Sequence, residues 1–161
     1  MAVPYQGLCP SDGLAYGCAV SGELKFMSMK AVNQYTVFLP NIPGALSKFV
    51  ELFAKEGVNI IGIASEIRDD SGIVRVAVEA DRKVSHMLTN AGFTTIETSM
   101  LALELPDNPG ELLRLTKILG KNDINITTVY GTSSGGSRAR LLLNVSDSDK
   151  AMEVLKAELE S

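Results

Sequence analysis

Between residues 35 and 98 the spacing of apolar positions changes repeatedly, and each change marks an element. YTVFL (35–39) is a β-branched and aromatic run, the composition of a strand. After Pro43 and Gly44, the residues Leu46, Phe49, Val50 and Phe53 fall at i, i+3, i+4 and i+7, one apolar face of a helix, and Gly57 after Lys55 and Glu56 stops it. VNIIGIASEI (58–67) is again strand-like, DDSG (69–72) supplies hairpin-turn residues, and IVRVAVEA (73–80) reads as the returning strand. DRKVSHMLTNAG sets Val84, Met87 and Leu88 on one helical face ahead of Gly92, and FTTIET (93–98) closes the series as a strand. The predicted order is βαββαβ.

The pattern then starts again. LPNIPGAL (39–46) and LPDNPGEL (105–112) are offset by 66 residues (110 − 44), and the register holds without a gap. It pairs Phe49 with Leu115, Leu52 with Ile118, Phe53 with Leu119, Val58 with Ile124, Asn59 with Asn125 and Ile60 with Ile126. The second copy reads as strand MLALEL, a helix from Pro109 to about Lys121, strand INITTVYG, a turn at SSGGS, strand RARLLLNV and helix SDKAMEVLKAEL. A register of this length predicts a duplicated unit, too long for a solenoid repeat and suited to a small domain. The expected fold is α+β: two ferredoxin-like βαββαβ units in tandem, antiparallel sheets with helices on one face. The boundaries expected are an N-terminal extension (1–31), a first unit (32–98) and a second unit (99–161) whose last strand is missing. An open sheet edge needs cover; ELKFMSM (23–29) of the extension is one candidate and a strand of a partner chain is the other. Units of this size bury a low fraction of their surface, so the copies are expected to pack together and against a second chain, as a homodimer.

Composition narrows the function. A net charge of −4 with Lys and Arg scattered singly leaves no basic footprint for nucleic acid, and no apolar run approaches a membrane span. Cys9 and Cys18, the two cysteines, read as free thiols rather than zinc ligands. LAYGC invites a lipoprotein-signal reading, but residues 1–17 have no basic start and are broken by Pro4, Gly7, Pro10 and Gly13, so a cytoplasmic protein is expected. GTSSG (131–135) matches a nucleophile-elbow pattern, yet it falls in a hairpin rather than a strand-to-helix turn, and the sole histidine, His86, lies in the other copy. No phosphate loop, dinucleotide fingerprint or zinc-hydrolase motif appears, so no catalytic residue, metal or cofactor is predicted.

The repeated loop carries the candidate chemistry. It precedes a helix N-terminus, where unpaired N–H groups and the helix dipole favour an anion, and both copies keep a glycine there that lets a ligand approach. Asn108 is placed as the cap, Pro109 as the first helical residue and Glu111 as the third, a capping-box spacing. Asn41 or Asp107 can accept from an ammonium group, and together with a carboxylate at the helix end this describes an α-amino acid. The residues proposed for ligand contact are Asn41, Ile42, Pro43, Gly44, Ala45, Asn59 and Ile60 in the first copy, and Asp107, Asn108, Pro109, Gly110, Glu111, Asn125 and Ile126 in the second. The paired Asn59 and Asn125 have an equal claim to a purely structural task, tying down the turn before the next strand.

NIPG (41–44) and DNPG (107–110), with VNI (58–60) and INI (124–126), resemble the ACT family of small-molecule-binding regulatory domains, whose βαββαβ unit carries a D/N-x-P-G loop. The resemblance covers residues 32–161. It implies amino-acid binding at the interface of paired domains and control of an associated enzyme of amino-acid metabolism. The alternative is a ligand-free module that only dimerises or docks on an enzyme.

Overall fold

The computed structural model describes residues 28–68, 71–79, 82–133 and 138–158. Two long strands form its axis: β1 (Ser28–Pro40) and β4 (Thr95–Pro106), paired antiparallel from Ser28 opposite Glu104 to Val37 opposite Thr95. Their ends are related by the repeat offset (106 − 40 = 66), and Asn33 and Ser99, also 66 apart, face each other across the ladder. A local two-fold axis therefore passes between these two residues. FTTIET and MLALEL, expected as separate strands, run together in β4, because no turn residue interrupts them.

Around this pair lie α1 (Ala45–Lys55), β2 (Ile60–Arg68), β3 (Ser71–Glu79) and α2 (Arg82–Asn90) of the first copy. The second copy supplies α3 (Glu111–Lys121), β5 (Ile126–Ser133), β6 (Arg138–Val145) and α4 (Ser148–Ala157). Both ferredoxin-like units form, and their sheets fuse into one six-stranded sheet in the order β2-β3-β1-β4-β6-β5. The fourth-strand place of the second unit is filled: Ser28 to Asn33 of β1 pair with Glu104 to Ser99 of β4. The symmetric place in the first unit is taken by the N-terminal half of β4. Of the candidate donor 23–29, Ser28 and Met29 stand in the strand and Met29 packs on the second core; residues 23–27 lie outside the described residues. The divisions expected at 31/32 and 98/99 each fall inside a strand that serves both copies. Cys9 and Cys18, the signal-like stretch and the tips of both hairpins (69–70 and 134–137) also lie outside the described residues.

On the helical face each unit has its own core. Tyr35, Val37, Leu39, Phe49, Phe53, Val74, Val76, Val78, Val84 and Leu88 make the first; Leu101, Leu103, Leu105, Leu115, Leu119, Leu143, Val145, Ala151 and Leu155 make most of the second. From β3 onward the equivalence shifts by one residue (141 − 74 = 67), so the second hairpin is one residue longer. The first core is aromatic where the second is aliphatic: Phe49 meets Phe53 and Phe93 edge-on with ring centres 5.2 and 5.5 Å apart.

Among the described residues the opposite face carries no helix. Here the sheet curls so that the β2 wing leans over the second copy, and Val32, Ala77, Met100, Ala102 and Leu142 form a third cluster with Ile61 and Tyr130 against it. A bulge between Ile60 and Gly62 turns Ile61 onto this face. Gly62 is the closest approach: a Cβ there would lie 2.2 Å from Leu142 Cδ1 and 3.0 Å from the Tyr130 ring. The half-buried Tyr130 hydroxyl donates to Gln34 Oε1 at 3.1 Å, and desolvation pushes its pKa up to about 12.

Candidate functional site

The loop geometry explains the repeated glycine. Gly44 (φ 85°) and Gly110 (φ 99°) are the caps of α1 and α3, both left-handed, a conformation that costs a residue with a Cβ roughly 1–2 kcal/mol. The predicted capping box does not form: the helix starts at Glu111, neither cap is made by a side chain, and Glu111 turns to Arg114 at 3.4 Å. Reversing the chain between strand and helix demands positive φ at the residue before the helix, and this outweighs the preference for an Asn cap. Glycine here therefore carries no helix penalty, because it lies outside the helix.

In the first loop, Ala45 N–H donates to Ile42 C=O at 3.2 Å and Lys48 N–H to Gly44 C=O at 3.0 Å. The N–H groups of Leu46 and Ser47 in the first turn point out of the helix end. They open toward a cleft of about 130 Å³ bounded by Asn41, Ile42, Ala45 and Leu46 on one side and by Ser65 and Glu66 of β2 on the other. Space in front of Gly44 is open, with nothing within 4 Å of where a Cβ would stand. Ile42, Leu46 and Ile67 are exposed around the rim, Ile67 at 67%, and Ile63 is exposed two residues before Ser65 on β2. The cleft is smaller than the ~300–1,000 Å³ that encloses a drug-sized ligand, which suits a small molecule covered from outside.

The second loop is tied to the end of β5 by a side-chain hydrogen bond, the Ser133 hydroxyl donating to Asp107. Gly131, the counterpart of Ser65 (131 − 66), is pressed against the neighbouring strand: a Cβ would stand 2.9 Å from the Arg140 carbonyl oxygen. Pro109 and Asn108 are exposed, and Glu111 N–H donates to Asn108 C=O at 3.3 Å.

The structure separates the Asn-Ile pairs from the loops. Asn59 with Ile60 and Asn125 with Ile126 lie past the C-termini of α1 and α3, and an 11-residue helix places them about 16 Å from the loops. Asn125 is held through its backbone, its N–H donating to Ser146 Oγ at 3.1 Å and its C=O accepting from Ser146 N–H at 2.9 Å. What loop spacing alone does not reveal is β2: Ser65 reaches the loop because the strand returns antiparallel to β3, whereas Glu66 points to the other face and pairs with Arg75 at 3.0 Å. Of the elbow-like GTSSG, Gly131, Thr132 and Ser133 stand in β5, not in a strand-to-helix turn. Among the described residues no group of three or more His, Cys, Asp or Glu is placed to hold a metal, and no helix is long and apolar enough to cross a membrane.

A family described as "ACT domain pair" matches residues 29–160. The chain belongs to this family. The span begins one residue into β1 and takes in both shared strands. Comparison with curated proteins returns no match. Among solved structures, the pair is similar to protein BT0572 from Bacteroides thetaiotaomicron, at 27% identity over 81% of this chain and 90% of that one, TM-score 0.73. It also shares its fold with the ligand-free regulatory subunit of aspartate kinase from Thermus thermophilus, at 14% identity over 86% and 98% of the two chains, TM-score 0.64. The aspartate kinase regulatory subunit from Thermus flavus is similar in the same way, at 13% identity over 86% and 98%, TM-score 0.62.

Proposed function

We propose that this ACT pair is a non-catalytic regulatory protein that binds a free amino acid at the first proline-glycine loop and adjusts an associated enzyme of amino-acid metabolism. The observation that carries the reading is the left-handed Gly44, which opens the start of α1 onto the cleft shared with β2. The ligand carboxylate would take the N–H groups of Leu46 and Ser47 at the positive end of the helix dipole. Its ammonium group would meet the Asn41 side-chain oxygen, with Ser65 of the facing strand beside it; Glu66 turns to the other face of the sheet and pairs with Arg75 at 3.0 Å. The apolar rim of Ile42, Leu46 and Ile67, with Ile63 next along β2, supports a second copy of the chain as the cover, in a homodimer. The tie between Asp107 and Ser133 favours a structural task for the second loop, or a weaker site there.

The test is the melting temperature of the full chain against each common amino acid at millimolar concentration. A ligand at 100 times its Kd adds about 2.7 kcal/mol to stability, a shift of several degrees. Ser65→Trp, which fills the exposed cleft, is expected to keep the fold and abolish the shift. A flat panel, or a shift that survives Ser65→Trp, sinks the loop as the site and favours a docking module that needs no ligand.

A further inference from the structure

A pair of clefts lies on the helix-free face of the second copy. Strand register lines up Ser28 (β1), Glu104 (β4), Arg140 (β6) and Thr132 (β5) as directly opposed residues, one polar row across four strands. Arg138 lies two residues before Arg140 on the same strand, hence on the same face about 7 Å away. Ile61, leaning over from the β2 wing of the first copy, forms an apolar wall above this row. Two adjoining clefts of about 200 and 400 Å³ share Ile61, Glu104 and Arg140, and the larger is in the size range of small-molecule sites.

The charges at this place exceed what the ion pairs need. Arg140 Nη2 bonds Glu104 Oε1 at 2.7 Å, whereas Arg138 Nη1 stands 4.0 Å from Glu104 Oε2 and is 60% exposed. Two guanidinium groups thus share one carboxylate, a local excess of positive charge in a protein of net charge −4. The backbone does not require them: the counterparts of Glu104 and Arg140 in the first copy are Phe38 (104 − 66) and Ile73 (140 − 67), on the same face of paired strands. Arg138 keeps its fork of donors free for bidentate contact with an oxyanion, Arg140 can rotate between Glu104 and a ligand, and the Thr132 hydroxyl adds a donor.

We propose that this cleft binds a small multiply charged oxyanion, a phosphate or a polycarboxylate, clasped between Arg138 and Arg140 beneath Ile61. This site is independent of the proline-glycine loop and of any amino acid bound there.

The experiment is a titration of the isotope-labelled full chain with citrate and, separately, inorganic phosphate at fixed ionic strength, followed by amide and arginine side-chain NMR signals. Saturable shifts confined to Arg138, Arg140, Thr132 and Ile61 are expected with at least one of the two anions. Arg138→Gln with Arg140→Gln is expected to weaken that binding at least tenfold. Arg138→Gln alone, which removes only a loose exposed pair and so leaves the fold intact, should weaken it at least threefold. The proposal is overturned if neither anion gives saturable shifts, if the shifts centre on Asn41 to Leu46 instead, or if they persist at the same midpoint in Arg138→Gln.

Discussion

Phe38 and Glu104 occupy the same place in the two copies, as do Ile96 and Lys30 (96 − 66 = 30), yet one copy presents apolar side chains there and the other presents charges. The contrast runs through the pair. The first unit has an aromatic core, an open loop and an apolar helix-free end; the second has an aliphatic core, a loop tied by Asp107 and Ser133, and an ion-paired end where the hydrogen bond from Arg140 holds the Glu104 carboxyl below its ordinary range. Duplication preserved the inward positions that define the fold and released the outward ones. Differences between copies are therefore the better guide to ligand sites, because fold alone cannot account for them.

The largest expected separation between the copies lies in the cores. Phe49→Ala should cost about 4 kcal/mol and Leu115→Ala about 3, both fully buried, with the excess coming from the lost edge-on contacts of the Phe49 ring. Urea unfolding of the two variants measures this, and equal costs would show that the aromatic cluster adds nothing beyond buried area. Next comes the seam. Gly62→Val should destabilise by about 2 kcal/mol, since its side chain collides with Leu142 and Tyr130, whereas Thr128→Val at the equivalent position should change stability by less than about 1 kcal/mol. A neutral Gly62→Val would mean that the β2 wing lifts freely from the second copy. The smallest effect concerns the helix ends. Gly57 (φ 66°) and Asp123 (φ 56°), also 66 apart, both turn left-handed after α1 and α3. Asp123→Gly should stabilise by about 1 kcal/mol and Gly57→Asp should destabilise by a similar amount, read from the unfolding midpoint at constant slope. An Asp123→Gly variant no more stable than the parent would indicate that the Asp side chain compensates its backbone strain.

Much of the fold was legible in the sequence because helices and strands of the two copies repeat their own periods, and two weak patterns in register reinforce each other. Residues 30–34 were not legible as strand. Lys30, Asn33 and Gln34 stand where β4 has Ile96, Ser99 and Met100, so the offset that relates the two strands is invisible in side-chain character. What makes that stretch a strand is its partner some seventy residues away, across the two-fold axis. The loop residues around Gly44 and Gly110 were legible from motif and spacing, but the local rule that favours Asn as a cap yielded to the backbone reversal. Ser65 could not be found from the loop, since its approach depends on the register of β2 with β3. The curl that seats Gly62 on Leu142 is a property of the whole sheet and leaves no short-range signal.

Because β1 and β4 each belong to both units, the repeat seen in the sequence is not a repeat that can be cut. A break at residue 32 would remove from the second unit the strand that closes it, and a break at residue 99 would cut the continuous strand β4 where its pairing with β1 passes from one unit to the other. The pair is inheritable and transplantable only whole, and anything grafted to it gains both halves or neither.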